Sequence, residues 1–405
     1  MALAMLLKLS LRNVVLYRRR NAFLLIAISF AVGGVTVSNA LIRGWQNDML
    51  EMAVANLTGH IKVQAPGFVD DPSLANSLTL ALPPILPGDA RLYQGWAARI
   101  RLPAVVMSER ATRGAQLVGI DPQQEAISFY RDLSIQGRGL AGVEDRSLLI
   151  GAALADALET KVDRRVVIMV QGADGRTREM GYRVAGIYDA PGELVEKMFI
   201  FTGLEALQQR AAGQRPLISE LSIVLHEESN RLSVLQAVQE AYPDTDVRDW
   251  QALEPQFAEL YNIVDSVMLI WFLLTMTALA FGLVNTLIAA VMERVRELGM
   301  LRALGMGRGF VVLQVVIESV CIMSIGVALG LLLGVFGVWL LADGIDLTAF
   351  SDGLEGWGIR ARLVPLLAVE DLVGYGLMSV LIGFIASFFP ARRAVKISPL
   401  MAMNR

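Results

Sequence analysis

The chain has 405 residues and a formal net charge of −3. Hydrophobic residues make up 54% of it and mean hydropathy is +0.50, too apolar for an ordinary soluble protein of this size. The near-neutral balance, with no clustered basic patch, argues against a nucleic-acid partner; a lone Cys321 excludes an intrachain disulfide; and His60 and His226, far apart and without cysteine nearby, give no expectation of a zinc site.

Residues 1–21 carry Lys8, Arg12, Arg18, Arg19 and Arg20 and no acid, with Leu7, Leu11, Val14 and Val15 on one side. They read as an amphipathic helix lying on the inner leaflet. Residues 22–42 are uncharged and form the first expected membrane helix, a signal anchor rather than a cleaved signal, since no small-x-small site closes the run. Three more apolar segments follow at 263–292, 310–342 and 372–390. Each meets the roughly 20 residues needed to cross about 30 Å of hydrocarbon. Arg294, Arg296, Arg302 and Arg308 in the 293–309 loop, and Arg392, Arg393, Lys396 and Arg405 in the 391–405 tail, place those segments and the N-terminus in the cytoplasm. The acidic 343–371 loop and the block 43–262 then lie outside. The expected fold is therefore an α-helical membrane protein with four spans in a one-plus-three layout and a large extracytoplasmic α+β domain between the first and second. The expected site is a bacterial inner membrane.

The exterior block alternates short β-like runs with helical ones. Ile61 and Val63 alternate with His60, Lys62 and Gln64; 165–170 is β-branched; Asp174-Gly175 marks a turn before 182–188; and Leu221, Ile223 and Leu225 line one strand face, so at least four strands are expected. Helical spacing appears at 151–160 (Ala152, Ala155, Leu158) and 231–241 (Leu232, Leu235, Val238). The Pro- and Gly-rich stretch 66–87 reads as loop, and 189–197 as a second loop. Toward the membrane, Trp45, Met49 and Met52 recur at helical spacing, as do Phe257, Leu260, Tyr261, Val264 and Val267 on the return. These stripes suit a two-helix stalk; the plainer alternative is packing against the exterior domain alone.

The loop 293–305, followed by Gln314, Glu318 and Ser319 and closed by Pro390-Ala391-Arg392-Arg393-Ala394 with Ser398-Pro399, resembles the permease family of ABC transporters that includes the MacB, lipoprotein-releasing LolC/LolE and FtsX proteins. Thr58-Gly59-His60-Ile61, Pro66-Gly67-Phe68, Val118-Gly119-Ile120-Asp121-Pro122 and Ser219-Glu220-Leu221-Ser222-Ile223 are similar to segments of the lipoprotein-releasing branch. The resemblance implies a MacB-type periplasmic core domain and a permease subunit, not an enzyme, worked by a separate ATPase that binds ATP and magnesium. The chain itself would bind no cofactor, and it contains no G-x-x-x-x-G-K-[ST] phosphate loop.

The resemblance further implies that the second cytoplasmic segment docks on the ATPase. Glu293, Arg294, Glu297 and Arg302 would make its polar contacts, Leu298, Leu301, Ala303 and Leu304 its apolar side, and Gly299 and Gly305 its tight ends. A solvated amphipathic loop at the headgroups is the alternative. Force would pass through the stalk to the exterior domain without a solute channel. Gln314 and Glu318 are the polar groups inside the third span, and Glu318 suits either a structural or a coupling role. Pro390, Arg392, Arg393 and Pro399 mark the tail.

The implied partners are an ATPase dimer, a second permease copy (identical or homologous), membrane lipid, and a periplasmic chaperone, adaptor or lipoprotein. Lipoprotein release is the first expectation; efflux of amphiphilic drugs, peptides or toxins, and FtsX-like regulation of a wall hydrolase, are the others. Neither 66–87 nor 189–197 is assignable to partner binding from sequence. Alanine at Glu297 and Arg302 is expected to weaken association with the ATPase, or to uncouple hydrolysis from function, while folding stays intact. Co-purification and permease-stimulated ATPase assays check this, and full coupled activity in the double variant rules out docking by this loop.

Overall fold

The computed structural model describes residues 18–190, 193–213, 216–293, 307–347 and 362–396. In chain order come α1 (Arg18–Ala53), β1 (Ile61–Gln64), β2 (Leu78–Thr79), β3 (Tyr93–Met107), β4 (Thr112–Ile120), β5 (Ser134–Gly137), β6 (Leu148–Gly151) and α2 (Ala152–Ala157). Then follow β7 (Arg165–Gln171), β8 (Thr177–Asp189), α3 (Glu193–Met198), β9 (Phe199–Gly203), α4 (Leu204–Ala211), β10 (Leu217–Ile218) and β11 (Glu220–Leu225). The remainder comprises α5 (Arg231–Ala241), β12 (Asp246–Asp249), α6 (Trp250–Leu253), α7 (Pro255–Glu293), α8 (Arg308–Leu340), β13 (Ile345–Asp346), β14 (Arg362–Leu363) and α9 (Val369–Lys396). The chain divides into two compact units: residues up to Asp48 with those from Leu260 onward, and Met49–Glu259.

In the first unit, α1, α7, α8 and α9 each contain a stretch long and apolar enough to cross a membrane. A helix is the form such a stretch must take, because hydrocarbon offers backbone N–H and C=O groups no partner outside the chain. Side-chain hydroxyls follow the same rule: Thr36 donates to the Val32 carbonyl at 2.9 Å and Ser319 to Val315 at 2.7 Å, each one turn back. The helices pack through small residues. Gly326, Gly330 and Gly334 of α8 lie against Ile28, Val32 and Thr36 of α1, four residues apart on both helices, so the two run parallel in constant register. A Cβ at any of the three would come within 2.5–2.8 Å of the facing side chain. Ser29 adds a hydrogen bond to the Gly326 carbonyl at 3.1 Å. Such close approach replaces the hydrophobic drive that lipid does not provide. Phe272 and Met276 of α7, with Ile322, Met323 and Val327 of α8, complete the buried cluster, and Tyr375 of α9 packs on it.

At one end of this unit α1 is clamped to α9. Arg43 Nη2 donates to Asp371 Oδ1 at 2.6 Å and Nε to the other oxygen; Asn39 Nδ2 donates to Asp371 at 2.9 Å, and Tyr375 Oη to Asn39 at 3.0 Å. Asp371 belongs to the first turn of α9, where a carboxylate also suits the helix dipole. Nearby, the Leu366 N–H donates to the Ala40 carbonyl at 2.8 Å, and Gly44 leaves no space for a Cβ, which would sit 2.0 Å from the Val364 carbonyl oxygen.

The second unit is built around one long strand. β3 pairs through Tyr93–Arg99 with β11, beyond which lie β1 and β12, giving an open sheet β12-β1-β11-β3. Its later residues pair with β4 on one side and β7 on the other. The series β3, β4, β9, β6, β8, β7 closes back on β3 as a six-stranded barrel, with β5 added at β8. Pro103, which has no N–H to give, falls between the residues paired with β11 and those paired with β7, so it breaks no ladder. Ser219 fills that interval, accepting from the Arg101 N–H at 3.1 Å.

Period-two alternation sorts the barrel side chains. Val166, Ile168 and Val170 of β7 join Leu117, Leu148 and Ile200 in the inner core, whereas Val118, Leu149, Phe199 and Phe201 form a second cluster on the opposite faces. Lys62 and Gln64, which alternate with Ile61 and Val63, are buried along with them, and the carboxylate of Glu220 lies on their polar side. Several expectations are corrected. Leu232 points to solvent and Val234 takes its place in the core. Val267, set on the stalk stripe by spacing, is exposed. The 189–197 segment contains α3, whose Glu196 carboxylate accepts from the N–H groups of Ala153 and Ala190 at 2.9 Å. Within 66–87, a single turn at Leu74–Asn76 and strand β2 interrupt the loop.

Replacing Gly330 with valine is expected to destabilise the membrane unit by about 1–3 kcal/mol, since Val32 and the Ser29 carbonyl occupy the space a side chain needs. Thermal unfolding in detergent measures it, with Gly282→Val, where a Cβ meets nothing within 4 Å, as the control.

Candidate functional site

α1 ends at Ala53 and the chain turns sharply over Val54–Thr58 before β1. Asn56 (φ −74°, ψ 46°) and Leu57 (φ 64°, ψ 6°) leave helical geometry there, and the Gly59 N–H closes the turn on the Val54 carbonyl at 2.9 Å. A leucine in the left-handed region costs roughly 1–2 kcal/mol, so something must hold it. Its side chain is fully buried in the cluster formed by Val118, Ile120, Leu149, Phe199 and Phe201. Its carbonyl accepts from Arg99 Nη1 at 2.7 Å and Ser222 Oγ at 3.1 Å.

Arg99 sits where β3 passes from the open sheet to the barrel, and it is 1% exposed. Its guanidinium donates to Glu125 (Nη2 to Oε1 2.6 Å, Nε to Oε2 2.9 Å), to Ser222 Oγ at 2.7 Å and to Glu220 Oε1 at 3.3 Å. The other Glu220 oxygen accepts from Lys62 Nζ at 3.0 Å and Gln64 Nε2 at 3.4 Å. Two cations and two carboxylates thus neutralise one another away from water. Burial by itself would raise the Glu220 pKa, but Lys62, Arg101 and Arg99 outweigh it and hold the carboxyl at about 2. Burial draws Lys62 down to about 8 against the pull of Glu220, leaving it charged at neutral pH. Burial likewise opposes the charge on Arg99, yet Glu125 and Glu220 keep its pKa above the ordinary value.

The outgoing connection is fastened beside the incoming one. β12 pairs with β1 from Gln64↔Asp246 to Ile61↔Asp249, so the strand after the first membrane helix and the strand before the second are neighbours. Asp249 caps α6 by accepting from Ala252, and it also accepts from Arg231. Trp250, 1% exposed, donates its backbone N–H to the His60 carbonyl at 3.1 Å and its indole N–H to Glu228 at 3.1 Å. His60 Nδ1 accepts from the Leu225 N–H at 3.2 Å, which leaves the ring proton on Nε2, facing Glu228 at 3.7 Å. Burial, with Arg231 nearby, lowers the His60 pKa to about 4.

Of the sequence-derived candidates, Met49 and Val264 are buried, and Trp45, Met52, Phe257, Leu260 and Tyr261 are half-buried. The two stalk helices touch where Gln46 Nε2 donates to the Tyr261 carbonyl at 3.4 Å. Gln314 and Glu318 are both buried on α8. Glu293 is the last residue of α7, while Arg294, Glu297, Leu298, Gly299, Leu301, Arg302, Ala303, Leu304 and Gly305 lie outside the described residues, as do the N-terminal residues 1–17 and Pro399. α9 runs through Pro390 to Lys396, so Arg392, which is exposed, and Arg393 are helical rather than tail residues. Sequence reasoning missed the Arg99 network. Its trace was Ser219-Glu220-Leu221-Ser222, an acid flanked by hydroxyls inside an otherwise apolar strand.

A pH effect follows from His60. Above pH 6.5 the imidazole is neutral in folded and unfolded chains alike; between 6.5 and about 4 only the unfolded chain takes up the proton, so stability falls as pH drops through that interval and levels below it. Melting curves of the full chain should show a decline that His60→Gln flattens, distinct from the loss through Glu220 between 4.5 and about 2.

Comparison with known proteins matches residues 22–254 to a family described as MacB-like periplasmic core domain and residues 269–399 to one described as FtsX-like permease C-terminal. The lipoprotein-releasing system transmembrane protein LolC of Neisseria meningitidis is 22% identical over 424 aligned positions, covering 96% of each chain. LolE of Haemophilus influenzae is 22% identical over 409, covering 94% of this chain and 93% of its own. The macrolide export ATP-binding/permease protein MacB of Chlorobaculum tepidum is 32% identical over 123 residues, 30% of this chain and 16% of that protein, so the match spans less than a fifth of its length. The periplasmic region of MacB from Actinobacillus actinomycetemcomitans aligns at TM-score 0.35 with 12% identity, over 51% of this chain and 95% of that structure. With one family spanning more than half of the chain and the other most of the remainder, the chain belongs to the FtsX-like ABC transporter permeases that carry a MacB-like periplasmic core domain.

Proposed function

We propose that this chain is the permease subunit of a transporter driven by a separate ATPase, and that it extracts lipoproteins from the outer leaflet of the inner membrane. The observation that carries the reading is the likeness to LolC over 96% of both chains, which includes the membrane helices as well as the exterior domain. The geometry supports a mechanical role. The strands next to the two stalk helices pair directly, so movement delivered through either helix reaches one sheet edge. Hydroxyls turned back onto their own helices, as at Thr36 and Ser319, suit helices that transmit force rather than line an aqueous path.

In this reading both termini are cytoplasmic, the exterior unit is periplasmic, and residues 293–305 between α7 and α8 dock on the ATPase, which binds the ATP and magnesium. Four spans are few for a working assembly, so a second copy, identical or homologous, completes it. Efflux of amphiphilic compounds through an adaptor is the second reading, favoured by the higher identity to MacB over its shorter match.

Native mass spectrometry of the complex purified from its own membrane in lipid nanodiscs tests the proposal. Two permease copies, two ATPases and a co-purifying acylated protein are expected. An adaptor or a wall hydrolase in place of acylated cargo would move the assignment to efflux or to regulation.

A further inference from the structure

We propose that Arg99 is a positioning residue that makes the end of the first stalk helix and the barrel one moving body. This rests on the mechanical reading above and deepens it. Leu57 is gripped at two points. Its side chain is buried against the outer faces of β4, β6 and β9, and its carbonyl is held by Arg99 from the strand the barrel shares with the open sheet. A left-handed leucine at the helix end persists only if its surroundings over-determine it. Arg99 also chelates Glu125, so one planar side chain spans the turn, the open sheet and the segment after β4.

The chemistry chosen is informative. A fully buried ion network is a weak source of stability compared with well-packed hydrocarbon of the same volume, and fixing geometry is the better reason to keep one. Arginine suits that task because its donors lie in a rigid plane. A lysine ammonium at the same position would keep the charge balance but could not reach Leu57, Ser222 and Glu125 together.

The test uses the full chain in nanodiscs with Cys321→Ser, removing its single cysteine, and spin labels at Glu51→Cys and Glu109→Cys, both exposed. The parent should give one narrow distance between the stalk end and the barrel. Arg99→Met with Glu125→Leu removes one cation and one anion together; it should melt cooperatively yet lose the single distance to a broad distribution. Arg99→Lys, though isoelectric with the parent, should broaden it too. Ser222→Ala, which leaves every charge in place, should broaden it less and carries the test if the double variant does not fold. Folded variants that all keep the narrow distance overturn the proposal, and so does full restoration by Arg99→Lys, which would reduce the network to charge balance. Adding the ATPase separates the two readings. Folded variants with the broadened distance should bind and hydrolyse as the parent does but lose its nucleotide-dependent barrel displacement, whereas a parent that recruits no ATPase would sink the transporter reading and leave the joint standing.

Discussion

The arrangement of the exterior unit depends on one buried guanidinium. Arg99 lies on β3, the strand common to the open sheet and the barrel, and it touches the turn that ends the first stalk helix. Removing its charge from water is affordable only because Glu125 and Glu220 come with it, and Glu220 in turn requires Lys62. Arg99 and Glu125 pair bidentately through β3 and the turn that follows β4, but Glu220 reaches both Arg99 and Lys62 only when β1, β3 and β11 have assembled. Taking away a single member strands a buried charge, at about 3–5 kcal/mol. The network therefore demands the complete arrangement more than it stabilises it.

The membrane unit solves a different problem, because its solvent is as apolar as its side chains. Contact there comes from shape, in the glycine seam of α8 against α1, and from polar groups that bond across helices. The Asn39, Arg43, Asp371 and Tyr375 clamp ties α1 to α9 at one end of the unit, where Asp371 accepts from both Asn39 and Arg43. Asp371 is the shared acceptor of the clamp, so an apolar residue in its place would remove the bonds of Asn39 and Arg43 together, while the exposed guanidinium keeps access to water.

Much of the membrane unit was legible because hydrocarbon imposes a single rule, an uncharged run of sufficient length, and the chain obeys it four times. The glycine seam was not, since spacing alone does not say which helix a glycine faces. In the exterior unit, β7 could be read from its β-branched run, which the structure sorts with Val166, Ile168 and Val170 inward and Arg165 and Gln171 exposed at its ends. β6 and β9 could not, because both of their faces are covered and Leu148 to Ile150 or Phe199 to Phe201 show no polar face to count from. The burial of Lys62 was hidden for the complementary reason: its counter-ion arrives from a distant strand, and Glu220 is 158 residues away. The docking candidates from Glu293 to Gly305 were legible through family resemblance alone, and the periodicity of a short charged helix would not have singled them out.

The pairing of β1 with β12 constrains what the stalk can do. Shifting β1 by a single residue against β11 would turn Ile61 and Val63 out of the core and take Lys62 away from Glu220, because the side-chain period of a strand is two. The ladder and the buried ion network therefore both resist shear. Tilt or rotation shared by the two connections disturbs neither, since β1, β12 and the Trp250 anchorage on His60 move together. Leu57 then decides how far such a movement travels. Its side chain is buried in the cluster that holds Val118, Leu149 and Phe201 of the barrel, while its carbonyl is held by Arg99 and by Ser222 of the open sheet, so the turn after α1 bears on both parts of the unit.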